Sequence, residues 1–170
     1  MIVDEASEGH RARSRRTCLL GVAAMIALAG CTPAAPEPVP VDEARAQYEE
    51  MLPSLHVSVL QGAEASWEGD SERVRLDEDG ICRWSPGDSS AEITLPEDDP
   101  AAWDARREAI NPVLVEHGFD EVGDAMRRNG APAYGFFSDR EDGAGVHIYT
   151  AAGTTVVRVF GIPVEGTACR

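Results

Sequence analysis

An apolar run near the N-terminus decides how much of this chain is available to fold. Residues 18–28, Cys-Leu-Leu-Gly-Val-Ala-Ala-Met-Ile-Ala-Leu, follow the basic segment Arg-Ala-Arg-Ser-Arg-Arg at 11–16. The run is about a dozen residues, short of the roughly 20 that a helix needs to cross a bilayer. A basic segment, a short apolar one and then small residues make a secretory signal peptide, which is removed on export. Residues 1–30 are therefore expected to be leader. What remains of the 170 residues suits one domain with a short extension, in a compartment that permits disulfides.

The end of the run is more specific. Leu28-Ala29-Gly30-Cys31 resembles the lipobox of bacterial lipoproteins, an aliphatic residue and two small ones before a cysteine. In that family the Cys31 thiol receives a diacylglyceryl group, and cleavage before it makes Cys31 the new N-terminus. Small residues let the backbone lie extended in a protease cleft, and a thiolate is a strong nucleophile. One acyl chain holds a protein marginally, whereas two anchor it stably at about 0.8 kcal/mol per buried methylene. The resemblance implies a cell-membrane partner through lipid on Cys31 and a position on the extracytoplasmic face. The alternative is a plain signal peptide with a chance cysteine. Asp4, Glu5 and Glu8 are unusual in a leader and point to a start further downstream. Ser14-Arg15-Arg16-Thr17-Cys18-Leu19 also resembles a twin-arginine export signal, but general secretion fits better.

Charge narrows the function classes. The chain has 30 acidic residues against 15 basic ones, a formal charge of -15, and every basic side chain is arginine. Without residues 1–30 it keeps 27 acids and 11 arginines, a formal charge of -16. That balance excludes nucleic acid as a partner, because binding it takes a cationic surface that displaces counterions from phosphates. The absence of lysine removes P-loop phosphate binding and Schiff-base chemistry. A solvated surface explains the acidity most simply; a cationic partner or divalent ions is the sharper reading.

After Cys31 comes a tether over 31–41, with Pro33, Pro36, Pro38 and Pro40. Alternating prolines favour an extended polyproline helix, on the order of 30 Å long at about 3.1 Å per residue. One domain is expected over 42–170. Asp42 is placed to cap a helix with an apolar stripe at Tyr48, Met51, Leu52, Leu55 and Val59, which Pro53 should kink or divide. Residues 62–70 read as loop. Short strands are expected at 73–76, 81–85 and 91–95, with turns at 77–80 and 86–88. Asp99 caps a second helix with Pro100 in its first turn and Trp103, Ile110 and Leu114 on one face. Pro112 should disturb it and Gly118 end it. Period-two runs at 119–126, 133–138, 145–151 and 154–160 give four more strands, separated by Asn129-Gly130, Asp139–Gly143 and Ala152-Gly153. The pattern predicts an α+β fold, with two amphipathic helices packed on one face of an antiparallel sheet.

With Cys31 assigned to lipid, Cys82 and Cys169 are left to pair, as two cysteines of an exported domain usually do. Such a bridge closes a loop of nearly ninety residues, and loop-closure entropy assigns it roughly 4 kcal/mol. Trp84, two residues from Cys82, shares its strand face and can pack over the bridge. No C-x-x-C supports a redox role.

Searches for chemistry return little. His56, His117 and His147 show no metal-ligand spacing and no H-E-x-x-H, so no metal or cofactor is expected. His117 at a helix end suits a dipole contact, and His147 alternates with Val146 and Ile148. No Gly-x-Ser-x-Gly elbow is present, and no catalytic residue can be named. Among Trp67, Trp84 and Trp103, only Trp67, in an acidic stretch, is a candidate to stack on a sugar. Arg127-Arg128 makes a basic spot on an acidic protein.

Several features together are similar to actinobacterial LppA-like cell-envelope lipoproteins. They are the lipobox, the early helix, the central Cys82, Trp103 opening the second helix, His117-Gly118-Phe119 closing it, Tyr134-Gly135 and Ala168-Cys169. The lysine-free, Ala- and Arg-rich composition fits a GC-rich genome. The resemblance implies a non-enzymatic envelope module that binds a protein or glycan, and it carries over no catalytic residue. An enzyme acting on envelope glycan or lipid is the alternative. A pocket pairing a histidine with a buried carboxylate would favour the enzyme, and a shallow surface with an apolar or aromatic patch the binding module.

Overall fold

The computed structural model describes residues 37–128 and 132–169. The expected leader, Cys31, most of the expected tether and Asn129-Gly130 lie outside them. No described helix is long and apolar enough to cross a membrane.

The first helix, α1, spans Val41–Leu60 and buries Ala44, Met51, Leu55, Val59 and Leu60 along one stripe. Asp42 does not cap it. Pro40 precedes the first turn in an extended conformation, and no side chain accepts from the end. Asp42 and Glu43 sit inside that turn instead, where their charges complement the helix dipole. Nor does Pro53 divide the helix, which runs through it unbroken. Pro53 and Glu49, whose carbonyl loses its hydrogen bond to the proline, are both exposed, so water takes the bond. Just upstream, Val39 forms a parallel bridge to Val164, with Glu165 N–H donating to its carbonyl at 3.0 Å. The Pro-rich segment therefore meets the domain at Val39.

The second helix, α2, spans Pro100–Glu116 and buries Trp103, Arg106, Ile110 and Leu114. Its ends are as the sequence predicts. The Asp99 carboxylate accepts from Ala102 N–H at 3.1 Å. At the other end Gly118 has φ +77°, which lets Phe119 N–H reach Leu114 O at 2.9 Å and Gly118 N–H reach Val115 O at 3.1 Å. Pro112 faces solvent and leaves the helix intact, as Pro53 does in α1.

Among the described residues are nine strands, four between the helices and five after α2: β1 (Trp67–Gly69), β2 (Arg73–Leu76), β3 (Cys82–Ser85), β4 (Gly87–Ala91), β5 (Met126–Arg127), β6 (Tyr134–Asp139), β7 (Gly145–Ala151), β8 (Thr154–Phe160) and β9 (Ile162–Pro163). Six form one sheet in the order β1-β4-β8-β7-β6-β5, and β2-β3-β9 form a smaller one. Paired strands are antiparallel throughout. Both helices lie on one face of the large sheet. There Phe136, Val146, Ile148, Val157 and Val159 pack with Met51, Leu55, Val59, Trp103, Ile110 and Leu114 in one core. The expected α+β architecture is the observed one.

Three strands depart from expectation, each for a local reason. The strand expected at 91–95 lies at Gly87–Ala91, where a turn was expected. Its sequence, Gly-Asp-Ser-Ser-Ala, has no apolar alternation, because Ser89 faces inward bonded to His56 and Asp88 faces outward bonded to Arg158. Gly87, at φ +98°, turns the chain from the small sheet into the large one; a Cβ there would stand 2.7 Å from the Asp70 carbonyl. The strand expected at 119–126 shrinks to Met126–Arg127. Phe119 and Val122 are buried three residues apart, and the Asn111 side chain takes the place of a strand partner. Its Oδ1 accepts from Val122 N–H at 2.8 Å and its Nδ2 donates to Val122 O at 3.2 Å. The expected loop over 62–70 contains β1, an edge strand three residues long.

Candidate functional site

Strict alternation in β7 and β8 sends Val146, Ile148, Val157 and Val159 into the core and His147, Tyr149, Arg158 and Phe160 to the other face. The register then aligns them. Asp88 is opposite Arg158, Arg158 opposite His147, and His147 opposite Phe137, so four strands contribute one row. Above this row stands β2, whose Arg73 and Arg75 alternate with Val74 and Leu76. Between them lies a cleft of about 390 Å³ whose walls include Arg73, Arg75, Arg128, Arg158, Asp88, His147 and Phe160. Four arginines and a single carboxylate, Asp88, are among the residues that line it, in a chain that is strongly acidic overall.

The charges are organised in pairs. Arg158 holds Asp88 with two contacts, Nε donating to Oδ1 at 2.7 Å, and the pairing raises the arginine's pKa further. Arg128 donates to Asp139 at 3.2 Å and lies over the Phe137 ring at 5.3 Å. Arg73 leans on Asp70 at 3.3 Å, both well exposed. The Arg75 side chain makes no hydrogen bond or ion pair among the described residues.

His147 is 7 % exposed, between Phe160 and Phe137, whose ring edges meet it at 4.6 and 5.1 Å. Its Nε2 is 2.7 Å from Asp139 Oδ1, and Arg128 NH1 is 3.1 Å from its Nδ1. Burial pushes its pKa down; Asp139 opposes this, and Arg128 and Arg158 add to it. The ring is thus neutral at pH 7, with Asp139 at Nε2 and the Arg128 guanidinium about equally near both ring nitrogens, 3.0 Å from Nε2 and 3.1 Å from Nδ1. Asp139 is half exposed, so this is a histidine beside a solvated carboxylate and not a buried one. Set between a guanidinium and a carboxylate, the ring holds Arg128 and Asp139 in place.

A second polar cluster lies on the core side. His56 stacks flat on Trp67, ring centroids 3.8 Å apart and 2° from parallel, and its Nε2 is 2.8 Å from Ser89 Oγ. Burial alone lowers the His56 pKa to about 4. Ser89 is 3 % exposed, which closes this serine–histidine pair to any substrate. Trp67 itself is half-buried against the core, with one ring face covered by His56.

Cys82 and Cys169 are joined by a disulfide, Cα atoms 5.9 Å apart and 87 residues apart in sequence. Trp84, 1 % exposed, packs in one cluster with Cys82, Cys169 and Val164, as its place on the strand predicts. The bridge ties β3 to the short 3₁₀ turn Gly166–Cys169 and so braces the sheet that carries Arg73 and Arg75. Arg83, 9 % exposed, braces it from the other side, donating to Gly161 O at 2.9 Å and contacting Asp77 and Asp142 O. Cys31 lies outside the described residues. Trp103 is a core residue, and His117 occupies the C-cap of α2. Arg127 and Arg128 part company, Arg127 pairing with Glu97 and Arg128 entering the cleft. Among the described residues no three His, Cys, Asp or Glu side chains group as a metal site.

Sequence reading missed Arg73, Arg75, Asp88 and Arg158. A signal was present: Arg73 and Arg75 alternate with Val74 and Leu76, and Arg158 interrupts the apolar run 156–160, in a chain poor in cations.

No family model and no curated protein matches the chain. Among solved structures it is similar to a DUF4853 family protein from Actinomyces odontolyticus, at 16 % identity and a TM-score of 0.45, over 76 % of this chain and 71 % of that one.

Proposed function

We propose that this chain is a lipid-anchored extracytoplasmic binding module, held on the cell membrane through Cys31, whose binding surface is the cleft between the two sheets. The convergence of four arginines on that cleft carries the binding part of the reading, since such clustering in a chain of charge -15 serves no core. The flanking aromatic rings of Phe137, Tyr149 and Phe160 add a half-buried apolar patch of the kind that marks contact surfaces. The anchor part rests on the basic segment, the apolar run and Leu28-Ala29-Gly30-Cys31. The prolines before Val39 would then hold the domain off the membrane. An envelope protein or glycan is the partner class that such a position offers.

Intact mass of the protein from the membrane fraction, unreduced, beside a Cys31→Ala variant, tests the anchor. The expected mass is that of residues 31–170 plus acyl groups, less two hydrogens for the disulfide, with the acyl increment gone in the variant. An unmodified full-length mass from the cytosol would overturn it.

A further inference from the structure

We infer that the arginine-lined cleft is a binding site for the phosphoryl group of a small ligand, a phosphate ester or diphosphate. This deepens the binding reading above and is independent of the anchor. Arg73 and Arg75 reach the cleft from β2, Arg158 from β8 and Arg128 from just past β5, so the donors arrive from different sheets and directions. A carboxylate accepts hydrogen bonds in one plane, whereas the oxygens of a phosphoryl group diverge and meet donors from several. Arginine forks are suited to that geometry.

Charge availability agrees. Asp88 is held by two contacts from Arg158, which neutralise it where it lines the cleft. Arg75 has no counter-charge among the described residues, and the Arg73–Asp70 pair is solvent-exposed and exchanges readily for a better acceptor. The rest of the chain sets the ligand's size. A net charge of -15 repels an extended anionic surface, so the anion that fits is a compact group that enters a cleft of about 390 Å³.

The test is calorimetric titration of the full chain, as the cell processes it and in non-ionic detergent, with inorganic pyrophosphate, inorganic phosphate and citrate. Arg75→Ala and Arg158→Ala are compared with Arg107→Ala, which alters a helix arginine outside the cleft. Arg75 is exposed and makes no described contact, so its variant folds as the parent does even if Arg158→Ala, which strands Asp88, does not. Expected are one pyrophosphate per chain, binding that tightens as salt falls, at least fivefold weaker binding in Arg75→Ala, and Arg107→Ala within twofold of the parent. Pyrophosphate affinity unchanged in Arg75→Ala, or no binding at millimolar pyrophosphate, would overturn the site. Citrate binding more tightly than pyrophosphate would overturn the phosphoryl assignment while leaving the cleft a binding surface. The Cys31→Ala chain should bind pyrophosphate as the parent does.

Discussion

The two faces of the large sheet each bury one histidine, and the pair is instructive. On the core face His56 meets an indole and a serine hydroxyl, with no charge contributing to its pKa. On the outer face His147 is the more buried of the two, at 7 % exposure, yet it touches a carboxylate and a guanidinium and has a second guanidinium nearby. The first is a half-buried ring held by packing and one hydroxyl. The second organises charge at the edge of a cleft. Burial is common to both, so the neighbours' charge separates a packing histidine from one that belongs to a site. Strand alternation keeps the charge on the outer face, since a one-residue slip of β8 would bury Arg158 and expose Val157 and Val159.

The comparison breaks first if the faces contribute equally to stability. Ile110→Ala, at a position with 0 % exposure on the core side, should cost about 2–5 kcal/mol in urea unfolding. Val156→Ala on the outer face, half-buried and opposite Tyr149, should cost less than about 1 kcal/mol. Equal losses would mean that the outer face is packed as a core and the cleft is closed.

The disulfide comes next. Cys82→Ser with Cys169→Ser should lower stability by about 2–4 kcal/mol, because the 87-residue separation frees a long loop in the unfolded chain. The loss should be local as well as global. Amide exchange in β2 and β3 should quicken more than in β7 and β8, which no bridge braces. Uniform quickening would show that the small sheet is not held by Cys169.

Acid sharpens the histidine contrast. The His56 pKa of about 4 lies below its unfolded value of about 6.5, so the unfolded chain binds the extra proton first. Stability from this residue is therefore full above pH 6.5 and falls between pH 6.5 and 4, by at most about 3 kcal/mol and by less as solvent screens the half-buried ring. His147 is lowered too and acts in the same direction. His56→Phe keeps a ring on Trp67 and removes the titration. Its urea midpoint should be lower at pH 7, where Ser89 loses its partner, but flatter from pH 6.5 to 4. An unchanged slope would assign the acid sensitivity to His147.

Both helices, the Schellman turn at Gly118 and the hairpin β7–β8 were legible because each is decided by a few adjacent residues. Ala152 and Gly153 both take positive φ, 50° and 92°, the two-residue turn that their position between period-two runs predicts. The cleft was not legible, since it is assembled from β2, β4, β7 and β8 and depends on a register that sets Asp88 opposite Arg158, 70 residues further on. β4 was hidden for a related reason. Its side chains are polar because their partners are, and those partners, His56 and Arg158, are remote in sequence. The Cys82–Cys169 pairing was readable only because elimination left two candidates.

The smallest expected effect separates two tryptophans. Trp103 Nε1 donates to Pro96 O at 2.7 Å in a core site 2 % exposed, whereas Trp67 Nε1 is buried with no hydrogen-bond partner among the described residues. Trp103→Phe leaves a carbonyl unpaired and trims a packed ring, so it should cost about 1–3 kcal/mol. Trp67→Phe loses ring area as well but removes a buried donor that has no acceptor, and these effects oppose each other. Its stability should stay within about 1 kcal/mol of the parent by urea unfolding followed by circular dichroism. If Trp67→Phe costs as much as Trp103→Phe, the indole N–H has an acceptor, and the pocket around His56 is polar as well as buried. The core face would then hold a second hydrogen-bonded centre, and charge alone would no longer distinguish it from the cleft.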